Sequence, residues 1–370
     1  MAPRLLLAAG ACLIAAACAG PGATPSGAAS PSLMATPTPT PSAAAPVSAS
    51  PAVGTLRAAA GRRVFGTAVA LPQLDTDPAY RTVLAREFSA VTPENAMKWA
   101  SVEPTQGKFD WTAADEIVAF AAANGQQVHG HNLVWYNQVP SWLSSGSFKP
   151  DQLRVLLQAH ISLEVSRFRG KIAAWDVVNE PFDDSGTLRD DVWSQALGPG
   201  YIADALRWAH AADPAAKLFI NDYDIEGINA KSNAMYELVK SLKAAGVPID
   251  GVGFQAHLEG TTGLPGDFAA NLQRFADLGV EVEVTELDVR LALPATTDLL
   301  ARQAETYSRV VKACTAVTAC IGVTVWGFTD KYSWVPGFFQ DEGAACLFDD
   351  NIAPKPAYQA VLNALSGASR

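Results

Sequence analysis

The stretch AAWDVVNE, residues 173–180, is an apolar run that stops at an amide and a carboxylate, with Pro181 directly behind it. Its length and paired valines read as a short buried strand that the proline terminates. A carboxylate in that position either caps the next segment or belongs to a site. The choice depends on whether other strands end the same way.

Seven further runs read as candidate strands, most of them closing on polar or aromatic residues: VFGTAVA (64–70), FSAVTPE (88–94), QVHGHNLVW (127–135), KLFINDY (217–223), GVGFQAH (251–257), VEVTELD (282–288) and GVTVWGF (322–328). The segments between them carry helical spacing. In DQLRVLLQAHISLEVSRFRG (151–170), Leu153, Leu156, Leu157, Ile161, Val165 and Phe168 recur three or four apart, with Asp151 expected to cap the start and Gly170 the end. NAKSNAMYELVKSLKAAG (229–246) behaves likewise. Strands alternating with helices imply a parallel sheet with helical crossovers. Eight such units predict an α/β fold, a (β/α)8 TIM barrel forming a single catalytic domain over residues 56–370. A doubly wound sheet would place a glycine-rich loop after its first strand, and ALPQLDTDPAY (70–80) stands there instead.

Active sites of such barrels lie at the carboxyl ends of the strands. Those ends hold Glu94 and Asn95, His131 and Trp135, Asn179 and Glu180, Asn221 and Asp222, Gln255 and His257, Glu286 and Asp288, and Trp326. Strict alternation would set Val282, Val284, Glu286 and Asp288 on one inward face, and Gln255 with His257 on another. His257 would then reach Glu286 and be oriented by Asp288. Glu283 would point towards the outer helices, where it needs a partner. Two carboxylates across a cleft suit glycoside hydrolysis, in which one acid protonates the leaving oxygen and the other stays ionised. The competing reading makes Glu180 and Glu286 helix caps or surface ion pairs.

The formal charge of −10 excludes a typical nucleic-acid binder. Residues 1–18, with Arg4 ahead of an apolar run, read as a signal peptide that is too short to span a membrane; Cys18 also suits a lipoprotein cleavage site. Residues 19–55 are dominated by Ala, Pro, Ser, Thr and Gly and read as an extended linker. An exported body follows, secreted or held at the outer face of a bacterial membrane by lipid on Cys18. In that oxidising setting Cys314 and Cys320 suit a short-loop disulfide, with two buried thiols as the alternative. No cysteine–histidine spacing suggests a metal, no cofactor is implied, and a monomer is the default.

TPENAMKW (92–99), GHNLVW (130–135), WDVVNE (175–180), INDY (220–223), GFQAH (253–257), VTELD (284–288) and VTVWGFTDKYSW (323–334) resemble, in order, the signatures of glycoside hydrolase family 10, the retaining endo-β-1,4-xylanases. The resemblance implies Glu180 as acid/base and Glu286 as nucleophile. It implies Asn179 on the sugar 2-hydroxyl, and His257 and Asp288 steering Glu286. Sugar contacts would come from Glu94, Asn95, Lys98, His131, Trp135, Gln255, Trp326 and Trp334, with xylan or xylo-oligosaccharides as the partner. A retaining β-1,4-glucanase and an inactive carbohydrate-binding barrel are the alternatives. Two positions depart from the pattern: Tyr136 stands where the family commonly has His, and Cys346 stands where an apolar residue is expected. His160 and His210 read as ordinary surface or core residues of helices, and Trp193 and Trp208 as core packing.

Overall fold

In a computed structural model of the protein, residues 54–368 are described. The expected leader, nearly all of the linker, and Cys18 lie outside the described residues. Thr55, at the linker's end, caps the helix Leu56–Ala59 by accepting the Ala58 N–H.

Eight parallel strands close into a barrel: β1 Val64–Val69, β2 Ala90–Pro93, β3 Gln127–Val134, β4 Ala174–Asn179, β5 Lys217–Asp222, β6 Gly251–Phe254, β7 Glu281–Ala292 and β8 Cys320–Val325. Each pairs with the next, and β8 pairs with both β7 and β1, so no barrel edge is left open. Helices connect the strands across the outside. In the helix Pro150–Arg167 the residues Leu153, Leu157, Ile161 and Val165 are buried at four-residue spacing, which turns one apolar stripe onto the sheet. Its cap is not Asp151 but Lys149. Pro150 has its φ already set and no N–H to satisfy, so it takes the first helical position and moves the cap upstream. Asp151 sits in the first turn, where its charge complements the helix dipole.

Alternation fails in two strands, and both failures shape the site. In β7, Glu283 faces His129 of β3 across the lumen, and Thr285 bonds Asn221 of β5. The odd residues therefore point inwards at this level, and Val282 and Val284 turn to the helices, the reverse of the sequence expectation. Between Val284 and Leu287 the register with β8 slips, with Val284 opposite Val323 and Leu287 opposite Val325. One extra residue is absorbed, as in a β-bulge, so that Thr285 and Glu286 both face the lumen. Likewise the run 251–257 is not one strand. β6 stops at Phe254, Ala256 takes a left-handed φ of 59°, and His257–Glu259 pairs separately with Asp288–Arg290 of β7.

Cys314 and Cys320 form a disulfide between the helix Thr297–Ala316 and the start of β8, at the end of that strand away from Trp326. Cys346 is a buried free thiol in the final loop, whose backbone N–H donates to Asp330 at 2.8 Å.

Candidate active site

Glu180 follows the last residue of β4. Its backbone adopts φ +54°, and its N–H donates to Asn221 O at 2.7 Å. Its Oε1 accepts from Asn179 Nδ2 and from Gln255 Nε2, each at 3.1 Å. Glu286, raised into the lumen by the β7 bulge, accepts from Asn221 Nδ2 at 2.7 Å on Oε1 and meets His257 Nε2 at 3.1 Å on Oε2. The other ring nitrogen of His257 lies 3.0 Å from Asp288 Oδ2, which also accepts the Trp334 indole N–H at 2.8 Å.

Asn221 joins the two halves. Its amide nitrogen also donates to Asn179 Oδ1 at 2.9 Å, while its carbonyl accepts from Thr285 Oγ1 at 2.6 Å. A Cβ on Gly253 would come within 2.3 Å of that carbonyl, so β6 needs glycine beside it. The bare backbone there makes room for the amide.

Burial alone would lower the His257 pKa, but Asp288 and Glu286 raise it well above its usual value. Burial by itself would raise the Glu286 pKa. The hydrogen bond from His257 and the charges of His131 and His257 outweigh it, and the carboxyl stays below its ordinary range. The two glutamates thus meet different surroundings: Glu180 accepts from neutral amides, Glu286 from an amide and an imidazole.

Beneath Glu286, Asp176 Oδ2 lies 2.8 Å from His131 Nδ1 and its Oδ1 2.9 Å from His129 Nε2. Glu283 closes this column, 3.5 Å from His129 Nδ1 and 3.2 Å from the Thr324 hydroxyl. Its partner is therefore inside the barrel, not among the outer helices as the alternation had suggested. Burial opposes ionisation of both His129 and Asp176. Their mutual attraction prevails and pushes the histidine up and the aspartate down.

At one side of the cleft, Lys98 Nζ donates to Asn95 Oδ1 at 3.0 Å and sits 4.7 Å above the Trp135 ring. Burial lowers the Lys98 pKa and raises that of Glu94. Trp326 packs its edge against His131, and Trp334 against His257. Glu94, Asn95, Lys98, His131, Trp135, Asn179, Glu180, Gln255, His257, Glu286, Trp326 and Trp334 all line one cleft of about 640 Å³, and Asp288 stands behind it. Such a lining offers aromatic faces to the C–H surface of a pyranose and amides and carboxylates to its hydroxyls.

Several contributors escaped the sequence reading. Asn221 was visible at a strand end but had no role. Asp176, which holds His129 and His131, and Arg189, which donates to the Glu180 and Phe182 carbonyls, carry no local signal. Trp193 is buried but also donates its indole N–H to Trp135 O at 2.9 Å, fixing the backbone beside the cleft. His160 is a core residue stacked 3.8 Å from Trp99, His210 is exposed, and Trp208 is half-buried under Arg154. No group of three or more His, Cys, Asp or Glu side chains suited to a metal occurs among the described residues.

Residues 53–364 match the family described as Glycosyl hydrolase family 10. The chain is 50% identical over 321 residues to endo-1,4-beta-xylanase C of Phanerodontia chrysosporium, covering 85% of this chain and 79% of that one. It is 46% identical to endo-1,4-beta-xylanase B of Thermotoga neapolitana over 283 residues, 76% of this chain and 82% of that one. Among solved structures it resembles xylanase 10B of Thermotoga petrophila RKU-1, determined in complex with xylobiose: TM-score 0.83, 44% identity, and coverage of 85% of this chain and 97% of that one.

Proposed function

The chain belongs to glycosyl hydrolase family 10, and from that premise we propose how its two glutamates act. It is a retaining glycoside hydrolase, an endo-β-1,4-xylanase that cleaves internal β-1,4-xylosidic bonds of xylan. Glu286 attacks the anomeric carbon as a carboxylate while Glu180 gives its proton to the departing glycosidic oxygen. The covalent glycosyl-enzyme is then hydrolysed as Glu180 takes a proton from the attacking water, and the product regains the starting configuration. His257 and Asp288 keep the nucleophile ionised and oriented, and Asn179 meets the sugar 2-hydroxyl.

One observation carries this division of labour. Glu286 is held below the ordinary carboxyl range by a partly buried imidazole that Asp288 orients, whereas the groups that hold Glu180 are uncharged: the Asn179 and Gln255 amides and the Tyr136 hydroxyl. The xylobiose complex of a related xylanase supports a xylo-oligosaccharide across the cleft, with Glu94, Asn95, Lys98, Trp135, Trp326 and Trp334 as sugar contacts. Export by residues 1–18, with the linker spacing the barrel away from the cell, completes the reading. Palmitate labelling of the native and Cys18→Ser chains separates lipid anchoring from release.

The decisive experiment is reducing-sugar release from β-1,4-xylan and from soluble cellulose, with the product anomer followed by NMR. Xylan hydrolysis giving the β-anomer first, lost in Glu180→Ala and Glu286→Ala, is expected. An initial α-product would overturn the double displacement. Preference for cellulose would overturn the substrate.

A further inference from the structure

We propose that Arg189 is a positioning residue for Glu180, imposing the left-handed backbone from which that carboxylate projects. The inference rests on the reading of Glu180 as acid/base. A non-glycine residue at φ +54° is strained and persists only where its surroundings dictate it. Asn221 O holds the Glu180 N–H on one side of this residue, and Arg189 holds the carbonyls on the other. Arg189 Nε donates to Glu180 O at 3.0 Å and Nη2 to Phe182 O at 2.7 Å, while the Arg189 backbone N–H takes Pro181 O at 2.8 Å. Three successive carbonyls behind the acid are held by one residue.

Arg189 is itself clamped. Its carbonyl accepts from Ser194 Oγ at 2.7 Å, and Ser194 belongs to the helix Val192–Leu197, which Asp191 caps. From the same helix Trp193 reaches Trp135 O, so the bracket is also anchored to the end of the neighbouring strand β3.

The guanidinium also faces the substrate side. Its carbon stands 4.1 Å over the Tyr136 ring, and Nη2 donates to Tyr223 OH at 3.1 Å, which in turn donates to Asp184 at 2.5 Å. Tyr136, Tyr223 and Asp184 line the cleft. Tyr136, which departs from the family pattern, thus finds its role as the ring that covers the guanidinium and fixes its plane. A lysine has no planar fork with which to serve two carbonyls and a ring together. Without the brace the Glu180 backbone relaxes, and its carboxyl moves off the glycosidic oxygen, which must lie within hydrogen-bond reach for proton transfer.

The test compares phenyl and 2,4-dinitrophenyl β-xylobiosides, which have the same sugars but differ in need of protonation. The dinitrophenolate burst counts folded sites in each preparation. For Arg189→Met, kcat/KM on the phenyl substrate is expected to fall about 100-fold, the lower end of what a general acid supplies. On the dinitrophenyl substrate it should change less than about threefold, with the burst retained, and Arg189→Lys should fall between Met and native. Equal losses on both substrates, or no loss on the phenyl one, would overturn the proposal. Glu180→Ala runs alongside. If it discriminates steeply and Arg189→Met does not, only the role of Arg189 falls. If Glu180→Ala does not discriminate, the reading of Glu180 falls and takes the proposal with it.

Discussion

Asn221 donates its side-chain amide to Glu286 Oε1 at 2.7 Å, and the same nitrogen reaches Asn179 Oδ1 at 2.9 Å. One amide on β5 therefore registers Glu286 against the residue that precedes Glu180. Thr285 decides which way the amide points by donating to its carbonyl.

Asn221→Ala strips a donor from a buried carboxylate and leaves the Thr285 hydroxyl without its acceptor. A hydrogen bond to a charged group contributes about 1.5–3 kcal/mol, so kcat/KM on xylo-oligosaccharides should drop roughly ten- to a hundredfold. Steady-state kinetics check this, and a variant with native kcat/KM would remove Asn221 from the machinery.

His257→Gln should move the acid limb of the kcat/KM profile to higher pH. In the proposed mechanism Glu286 must be ionised to attack, and His257 helps to hold its pKa below the usual value. Removing the imidazole lets burial dominate, the pKa rises, and activity is lost at a higher pH on acidification. A limb that stays in place would show that His257 does not set the charge of Glu286.

His160 makes the stability of the fold depend on pH away from the site. Burial pulls its pKa down to about 3, against 6.5 for the free side chain, so it is packed neutral against Trp99. Between these values the unfolded chain binds a proton that the native state does not, and stability falls as pH drops from about 6.5 towards 3. The neighbouring buried Glu164, pushed up by burial, works in the opposite direction above its unfolded pKa. His160→Phe keeps a flat ring but removes the titration. Relative to native protein, its unfolding free energy should improve by about 3 kcal/mol on going from pH 7 to pH 4. Urea melts at the two pH values measure it.

Reducing the Cys314–Cys320 bridge should lower stability without touching catalysis. The loop it closes spans six residues of sequence separation, for which chain entropy predicts about 2 kcal/mol. The bridge lies at the start of β8, and the catalytic rim lies at the other end. Thermal unfolding with and without reductant should show a lower Tm, and kcat at 25 °C should not change. A parallel loss of kcat would mean that the two ends of β8 are coupled.

The sequence by itself determined the barrel, its strand positions to within a few residues, and the two glutamates with most of their neighbours. Those features are written locally. An apolar run of strand length, a helical period, and polar residues at the close of most strands can be read without knowing what lies across the fold. Tertiary structure alone decided the phase and the wiring. A single extra residue in β7 reverses which side chains face inwards, so Glu283 meets His129 rather than the outer helices, and Glu286 shares the lumen with Thr285. His257 reaches Glu286 not by alternation with Gln255 but because a left-handed Ala256 starts a new strand in register with Asp288. Asn221, Asp176 and Arg189 gain their roles from partners 42 to 65, 45 to 47 and 7 to 53 residues away in sequence. Register slips and long-range hydrogen bonds are settled by the closure of the whole barrel, where each strand must fit two neighbours at once. No local pattern encodes that fit.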